Sequence, residues 1–127
     1  MTYFLDNNIS FRFAEMLRAL TVDIIALREK FPEDIKDPDL LEKLKNTDYV
    51  FINSEKRMKH MPIEAAILKD AGITALFLGP FWSKLGFWQQ AIWLVRRWEL
   101  IDAFARSSKK GTIAIIQQNG RSRPIQI

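Results

Sequence analysis

The chain has no cysteine and a single histidine, His60. The first absence rules out a disulfide framework and any thiolate metal site. Together the two exclude a structural zinc centre, which needs several nitrogen or sulfur ligands. A cysteine-free chain fits a reducing compartment, and a cytoplasmic protein is expected. There is no internal repeat, no low-complexity tract and no linker rich in glycine or serine. One domain over residues 1–127 is therefore expected, with 119–127 as a flexible tail. A clean apolar run of membrane length is missing too. The most apolar stretch, Leu85 to Ala105, is broken by Gln89, Gln90, Arg96, Arg97, Glu99 and Asp102, and burying these in lipid is costly. Near the start, Asp6 arrives before any long apolar run, unlike a secretory leader. No membrane association is expected.

What is present reads as an ordinary globular protein, with 48% hydrophobic and 27% charged residues. The net charge of +4 permits a polyanionic partner.

Short apolar runs alternate with helical patterns. Thr2–Leu5, Asp23–Leu27, Tyr49–Ile52, Ile73–Leu78 and Thr112–Gln117 read as strands, most of them continuously apolar. Ser10 is placed to cap a helix reaching about Leu20, with Phe13, Ala14, Leu17 and Leu20 at helical spacing. Pro38 sits in the first turn of a short helix holding Leu40, Leu41 and Leu44, with Asp37 as its cap. Pro62 opens a further helix that Gly72 closes, and a long helix runs from about Lys84 to Ser107. Continuous apolar strands alternating with helices predict an α/β fold: a parallel sheet of about five strands with helices on both faces. Ligands in such folds bind at the carboxyl ends of the strands.

That rule gives weight to Asp6, which directly follows the first strand, and to Glu55, a few residues past the third. Asp37 opens a helix that could bring it to the same edge. Carboxylates that converge repel one another, and the usual compensation is a hard divalent ion such as Mg²⁺ or Mn²⁺. Each residue also has a plainer role open to it: Asp37 as a helix cap, Glu55 as a solvated loop charge.

The segments around these acids resemble the PIN-like domain family, which includes VapC-type toxins. Phe4-Leu5-Asp6-Asn7-Asn8-Ile9 is similar to its opening strand and acidic loop. Asp37-Pro38-Asp39-Leu40-Leu41 is similar to its second acidic segment, and Val50 to Met58 to its third. Lys59-His60-Met61-Pro62-Ile63-Glu64 and Arg96-Arg97-Trp98 resemble further features of a subgroup. The sequence departs from the family in carrying Glu55 where Asp is usual and Asn53 where Thr is usual. The resemblance implies a three-layer PIN-like fold and a metal-dependent endoribonuclease. Asp6, Asp37 and Glu55 would be its catalytic metal ligands for Mg²⁺ or Mn²⁺. Asn7 and Asn53 would orient carboxylates or bound water. Glu64 is either a fourth carboxylate beside Asp6, Asp37 and Glu55 or an acid favoured by the start of its helix.

Lys56, Arg57, Lys59 and His60 follow Glu55 and are candidates to hold RNA phosphates, or form a solvated loop. Arg121 and Arg123 could extend that track. His60 could protonate a leaving oxygen or be a surface residue. The long helix carries more apolar positions than one sheet face needs. Phe87, Ala91, Leu94, Trp98, Ile101 and Ala105 form one stripe, Trp88, Ile92 and Val95 widen it, and Trp93, Leu100 and Phe104 lie on another. The surplus predicts a homodimer or a protein partner through residues 84–107, unless the helix is deeply buried. The leading expectation is the RNA-cleaving toxin of a toxin–antitoxin pair, with RNA and an antitoxin protein as partners. The alternatives are a non-catalytic module that binds nucleic acid or protein, and a phosphoesterase acting on DNA or small phosphates.

Overall fold

In a computed structural model the structure describes residues 1–32, 34, 35, 37–54 and 61–125, and of Asp37, Met61 and Glu64 the backbone alone. Six strands form one sheet in the order β2-β1-β3-β4-β5-β6, where β1 is Thr2–Leu5, β2 Ile24–Ala26, β3 Tyr49–Ser54, β4 Thr74–Leu78, β5 Ile113–Ile116 and β6 Ser122–Pro124. The first five strands are parallel and β6 runs antiparallel to β5. The register sets Leu5 beside Ala26 on one side and Ile52 on the other.

Alternation along each strand divides the core in two. Tyr3, Leu5, Val50, Ile52, Leu76, Leu78, Ala114 and Ile116 face α1 (Phe11–Ala19) and α5 (Phe87–Ser107). Phe4, Phe51, Ala75, Phe77, Ile113 and Ile115 face the other way. There they meet Leu27 of α2 (Leu27–Lys30), Leu40 and Leu44 of α3 (Asp37–Leu44), and Ala65 and Leu68 of α4 (Met61–Asp70). This is the expected parallel sheet with helices on both faces. Strands covered on both sides read as continuous apolar runs for this reason. Complete burial of a side chain such as Phe4 contributes about 1.5–3 kcal/mol.

Local chemistry explains the boundaries. The Ser10 hydroxyl accepts from the backbone N–H of Arg12 at 3.3 Å, as a cap of α1 should. The strand expected to reach Leu27 stops at Ala26, because Glu29 turns the chain into α2. Its carboxylate accepts the Ala26 N–H at 2.8 Å and pairs with Arg18 at 2.9 Å. β3 runs two residues past Ile52, since Asn53 and Ser54 pair with Phe77 and Leu78 of β4. The long helix starts at Phe87, not Lys84. Pro80–Lys84 form a separate 3-10 turn, and the Gln89 side chain accepts the Gly86 N–H at 2.8 Å to set the new start.

The expected tail is also corrected, since residues 122–124 form β6. A turn ending at Gly120 reverses the chain. Gly120 has φ +86°, and a Cβ there would come within 2.8 Å of the Arg97 side chain. The turn packs on α5, where the Trp93 indole donates to the Gln118 carbonyl at 2.8 Å. At the opposite flank of α5 the Tyr3 hydroxyl donates to Asp102 at 2.6 Å, and Arg106 pairs with the same carboxylate at 2.9 Å. Among the described residues no helix is long and apolar enough to cross a membrane.

Candidate functional site

A helix joining two parallel strands must carry the chain back to the end where the next strand begins. The helices after β1, β3 and β4 therefore all start at the carboxyl edge of the sheet. So does Arg28, two residues past β2. α3 delivers the chain to the start of β3, so Asp37 lies at the end of α3 turned toward the carboxyl edge. The site is built at this edge.

Asp6 continues β1 by one bond, its backbone N–H donating to the Ile52 carbonyl at 2.9 Å. The chain then turns, and the Ile9 N–H returns to the Asp6 carbonyl at 3.1 Å. Asn7 and Asn8 occupy the centre of that turn, where asparagine is favoured, and buried Ile9 pins its end into the core. The Asn8 side chain reaches across to β3. Its amide donates to the Asn53 side-chain oxygen and to the Ser54 carbonyl, both at 2.6 Å. The Asn53 oxygen also accepts the Ser54 N–H at 2.7 Å. Asn53 and Ser54 are buried, so this clamp fixes the Asp6 turn against the end of β3.

A cavity of about 330 Å³ opens here, lined by Asp6, Asn7, Ser10, Phe11, Ala26 and Arg28 among others. The Arg28 guanidinium lies over the Phe11 ring, 4.4 Å from its centroid. This cation–π contact holds its position in the wall. One wall thus offers a carboxylate and the opposite chemistry comes from a guanidinium, an arrangement suited to a phosphate ester beside a cation. Every candidate ligand is an oxygen donor, which fits Mg²⁺ or Mn²⁺ in kind.

Of the residues singled out from sequence, Asp6, Asn7 and Asn53 stand at this edge. Asn7 lines the cavity, while the Asn53 oxygen is engaged by Asn8 and Ser54. Asp37 and Glu64 are placed by their backbone in the first turns of α3 and α4. Glu55, Lys56, Arg57, Lys59 and His60 lie outside the described residues. Among the described residues no three His, Cys, Asp or Glu side chains stand together. Sequence reasoning missed Asn8, Phe11 and Arg28. The carboxyl-edge rule could have found Arg28, which follows a predicted strand as directly as Asp6 does. Asn8 had no such signal, because its partner is 45 residues away.

A family model described as a PIN-like domain matches residues 1–80, from β1 to the end of β4. It covers the Asp6 turn, Arg28 and the end of β3. No curated protein matches the chain, and no solved structure does.

Proposed function

The chain belongs to the PIN-like domain family, whose domains are commonly nucleases, and from that premise we propose that it is an Mg²⁺- or Mn²⁺-dependent endoribonuclease, the toxin of a toxin–antitoxin pair. The observation that carries the proposal is the Asp6 cavity. An acid is presented at the carboxyl edge of a parallel sheet, fixed by the Asn8 clamp, with a guanidinium lining the same cavity.

Asp6, with Asp37 and Glu55, would hold the ion. An ion so held acidifies water and neutralises charge on a scissile phosphate. The chain's own groups do the rest. Arg28, steadied by Phe11, holds a phosphate oxygen beside Asp6. Lys56, Arg57, Lys59 and His60 follow β3 in sequence and add positive charge for neighbouring phosphates. Asn8 keeps the Asp6 turn from drifting away from β3. The toxin assignment rests on the resemblance of the segments around Asp6, Asp37 and Glu55 to VapC-type toxins, and the partner it implies is an antitoxin protein.

The test is incubation of the purified protein with labelled RNA and DNA, in Mn²⁺ or in chelator. RNA cleavage that needs the metal, and is lost in Asp6→Asn, is the expected result. Equal cleavage in chelator would overturn the metal requirement, and cleavage of DNA alone would overturn the substrate. A second reading is a PIN-like module that binds nucleic acid or protein without cleaving. The observation favouring it is that the Asn53 oxygen is committed to the scaffold through Asn8 and Ser54. Metal-independent RNA binding with no cleavage would establish it.

A further inference from the structure

We propose that a cavity at the amino edge of the sheet, the end opposite to Asp6, is a binding site for a phosphomonoester held between the ammonium groups of Lys69 and Lys110. The inference stands apart from the nuclease reading above, since it uses no residue of the Asp6 edge.

The cavity measures about 390 Å³, larger than the one beside Asp6, and is lined by Lys69, Lys110, Thr112, Ile113, Pro124 and Ile125 among others. It opens where α4 ends, β5 begins and β6 finishes. Two glycines bring the lysines together. Gly72 closes α4 just after Lys69, its N–H donating to the Lys69 carbonyl at 2.9 Å. Gly111 follows Lys110, and its N–H donates to the hydroxyl of buried Thr74 at 2.9 Å. Both glycines have positive φ, +72° and +88°, and a Cβ built on Gly111 would lie 3.8 Å from the Gly72 Cα. The two turns therefore rest against each other. The turn after Lys109 is braced again, because the Lys109 carbonyl accepts the N–H of Thr112 at 3.1 Å and its hydroxyl at 2.6 Å. Turns fixed in advance lower the ordering cost when a ligand arrives.

Charge selects the occupant. Among the described residues no acid lines the cavity, and neither lysine amine forms an ion pair. The acids closest in sequence or in electrostatic reach are engaged elsewhere. Asp70 lines a separate cavity between α3 and α4, with Pro38, Leu41 and Ile67. Asp48 is held low first by the N-terminal ammonium, which it bonds at 3.0 Å, and only last by Lys110. Two ammonium groups lining one cavity repel each other, and a doubly charged anion relieves both. A phosphomonoester carries about 1.5–2 negative charges at neutral pH, whereas a diester carries one. Lysine binds phosphate as a point charge, without the directional fork of arginine. Buried Ile113, with Pro124 and half-buried Ile125, offers apolar contact to the organic part of the ligand, such as the ring of a nucleotide. The volume lies within the range of small-molecule sites, about 300–1,000 Å³.

The test is titration calorimetry with AMP as the probe, in chelator, on the wild type and on Lys69→Gln and Lys110→Gln. Both side chains are exposed, so the variants keep the core intact. AMP is expected to bind and adenosine is not. Cyclic AMP, a diester of the same nucleoside, should bind about tenfold more weakly than AMP, and each single variant should weaken AMP by about the same factor, as for one charge-assisted hydrogen bond. Lys69→Arg and Lys110→Arg should keep most of the affinity. In amide NMR spectra AMP should shift Gly111 and Thr112 and leave Asn7 and Asn8 in place. An RNA octamer with a terminal phosphate, compared with one ending in a hydroxyl, identifies the source of the group. A preference for the phosphorylated octamer that both Gln variants abolish assigns the site to a strand end. AMP binding without that preference assigns it to a free nucleotide, and either result upholds the proposal. AMP held no more tightly than inorganic sulfate overturns it, as does equal binding by the doubly substituted protein. Cyclic AMP that binds as well as AMP, or shifts that fall on the Asp6 turn instead, overturn it too. No outcome depends on RNA cleavage, so this inference and the nuclease reading fail separately.

Discussion

The side-chain amide of Asn8 donates to the side-chain oxygen of Asn53 at 2.6 Å, tying the turn after β1 to the end of the neighbouring strand. The Asp6 turn therefore owes its position to a residue without a reactive group. Asn8→Ala removes the bonds to Asn53 and to the Ser54 carbonyl and leaves those buried acceptors to find water. Asn8 is itself exposed, which moderates the cost, and about 1 kcal/mol of stability should be lost. A melting temperature lower by several degrees is expected, with cleavage reduced further than stability alone explains. An Asn8→Ala protein that melts and cleaves like the wild type would show the clamp to be incidental.

Metal should separate Asp6 from a purely structural acid. A ligand that binds only the folded state stabilises it by mass action, by about 2.7 kcal/mol at one hundred times its dissociation constant. Mn²⁺ should raise the melting temperature of the wild type and raise that of Asp6→Asn much less. Identical metal responses in the two would remove Asp6 as a ligand.

Arg28→Ala should weaken RNA binding about equally across sequences. The slope of log affinity against log salt should become shallower by about one, as for the loss of one phosphate contact. Arg28→Lys should restore the slope only in part, because a lysine lacks the planar fork that lies over Phe11. A salt slope that does not change in Arg28→Ala would place the phosphates elsewhere.

Acid should expose the tie between β1 and α5. Burial pushes the Asp102 carboxyl up, but the Tyr3 hydroxyl and the Arg106 guanidinium together hold it below the ordinary range. Burial, with the hydrogen bond to Asp102 next, pushes the Tyr3 hydroxyl far above its usual value. Glu29 is likewise held low, chiefly by its hydrogen bond from Arg18. A carboxyl depressed in the folded state stabilises that state above its unfolded pKa, about 4, and the contribution fades as pH falls through the folded value. Stability should be flat from neutrality to about pH 5 and then decline. Asp102→Asn should lower the plateau and flatten part of that decline. Denaturant melts across pH 2–7 would measure it, and an acid limb unchanged in Asp102→Asn would refute the assignment.

The strands that carry the fold were legible because they are buried beyond their first residues. Tyr3–Leu5 and Val50–Ile52 have no polar position to obscure the pattern. β6 was not, because Ser122, Arg123 and Pro124 have little strand preference of their own. They are held in place by pairing with Ile116, Ile115 and Ala114. The same division runs through the site. Asp6 stands out by following a buried strand, whereas Asn8 acquires its role only when β1 and β3 come together. The aromatic positions of α5 were legible as a surplus but not in their fates. Trp93 is buried against Phe81, Trp82 and the turn after β5, whereas Trp88 faces outward.

β6 has a second effect, on what the sheet does in a crowded solution. An open parallel sheet ends in a row of unsatisfied backbone groups that can recruit a strand from another molecule. Here β5, with four buried apolar residues, is shielded from that role by a three-residue strand of reversed direction. Its outer rim carries the charge of Arg123, and Pro124 has no N–H to offer. The opposite rim, β2, is also only three residues long. Both borders are thus too short and too poorly matched to template a growing ladder, and the polar segment that closes the sheet guards the chain against fibrous self-assembly.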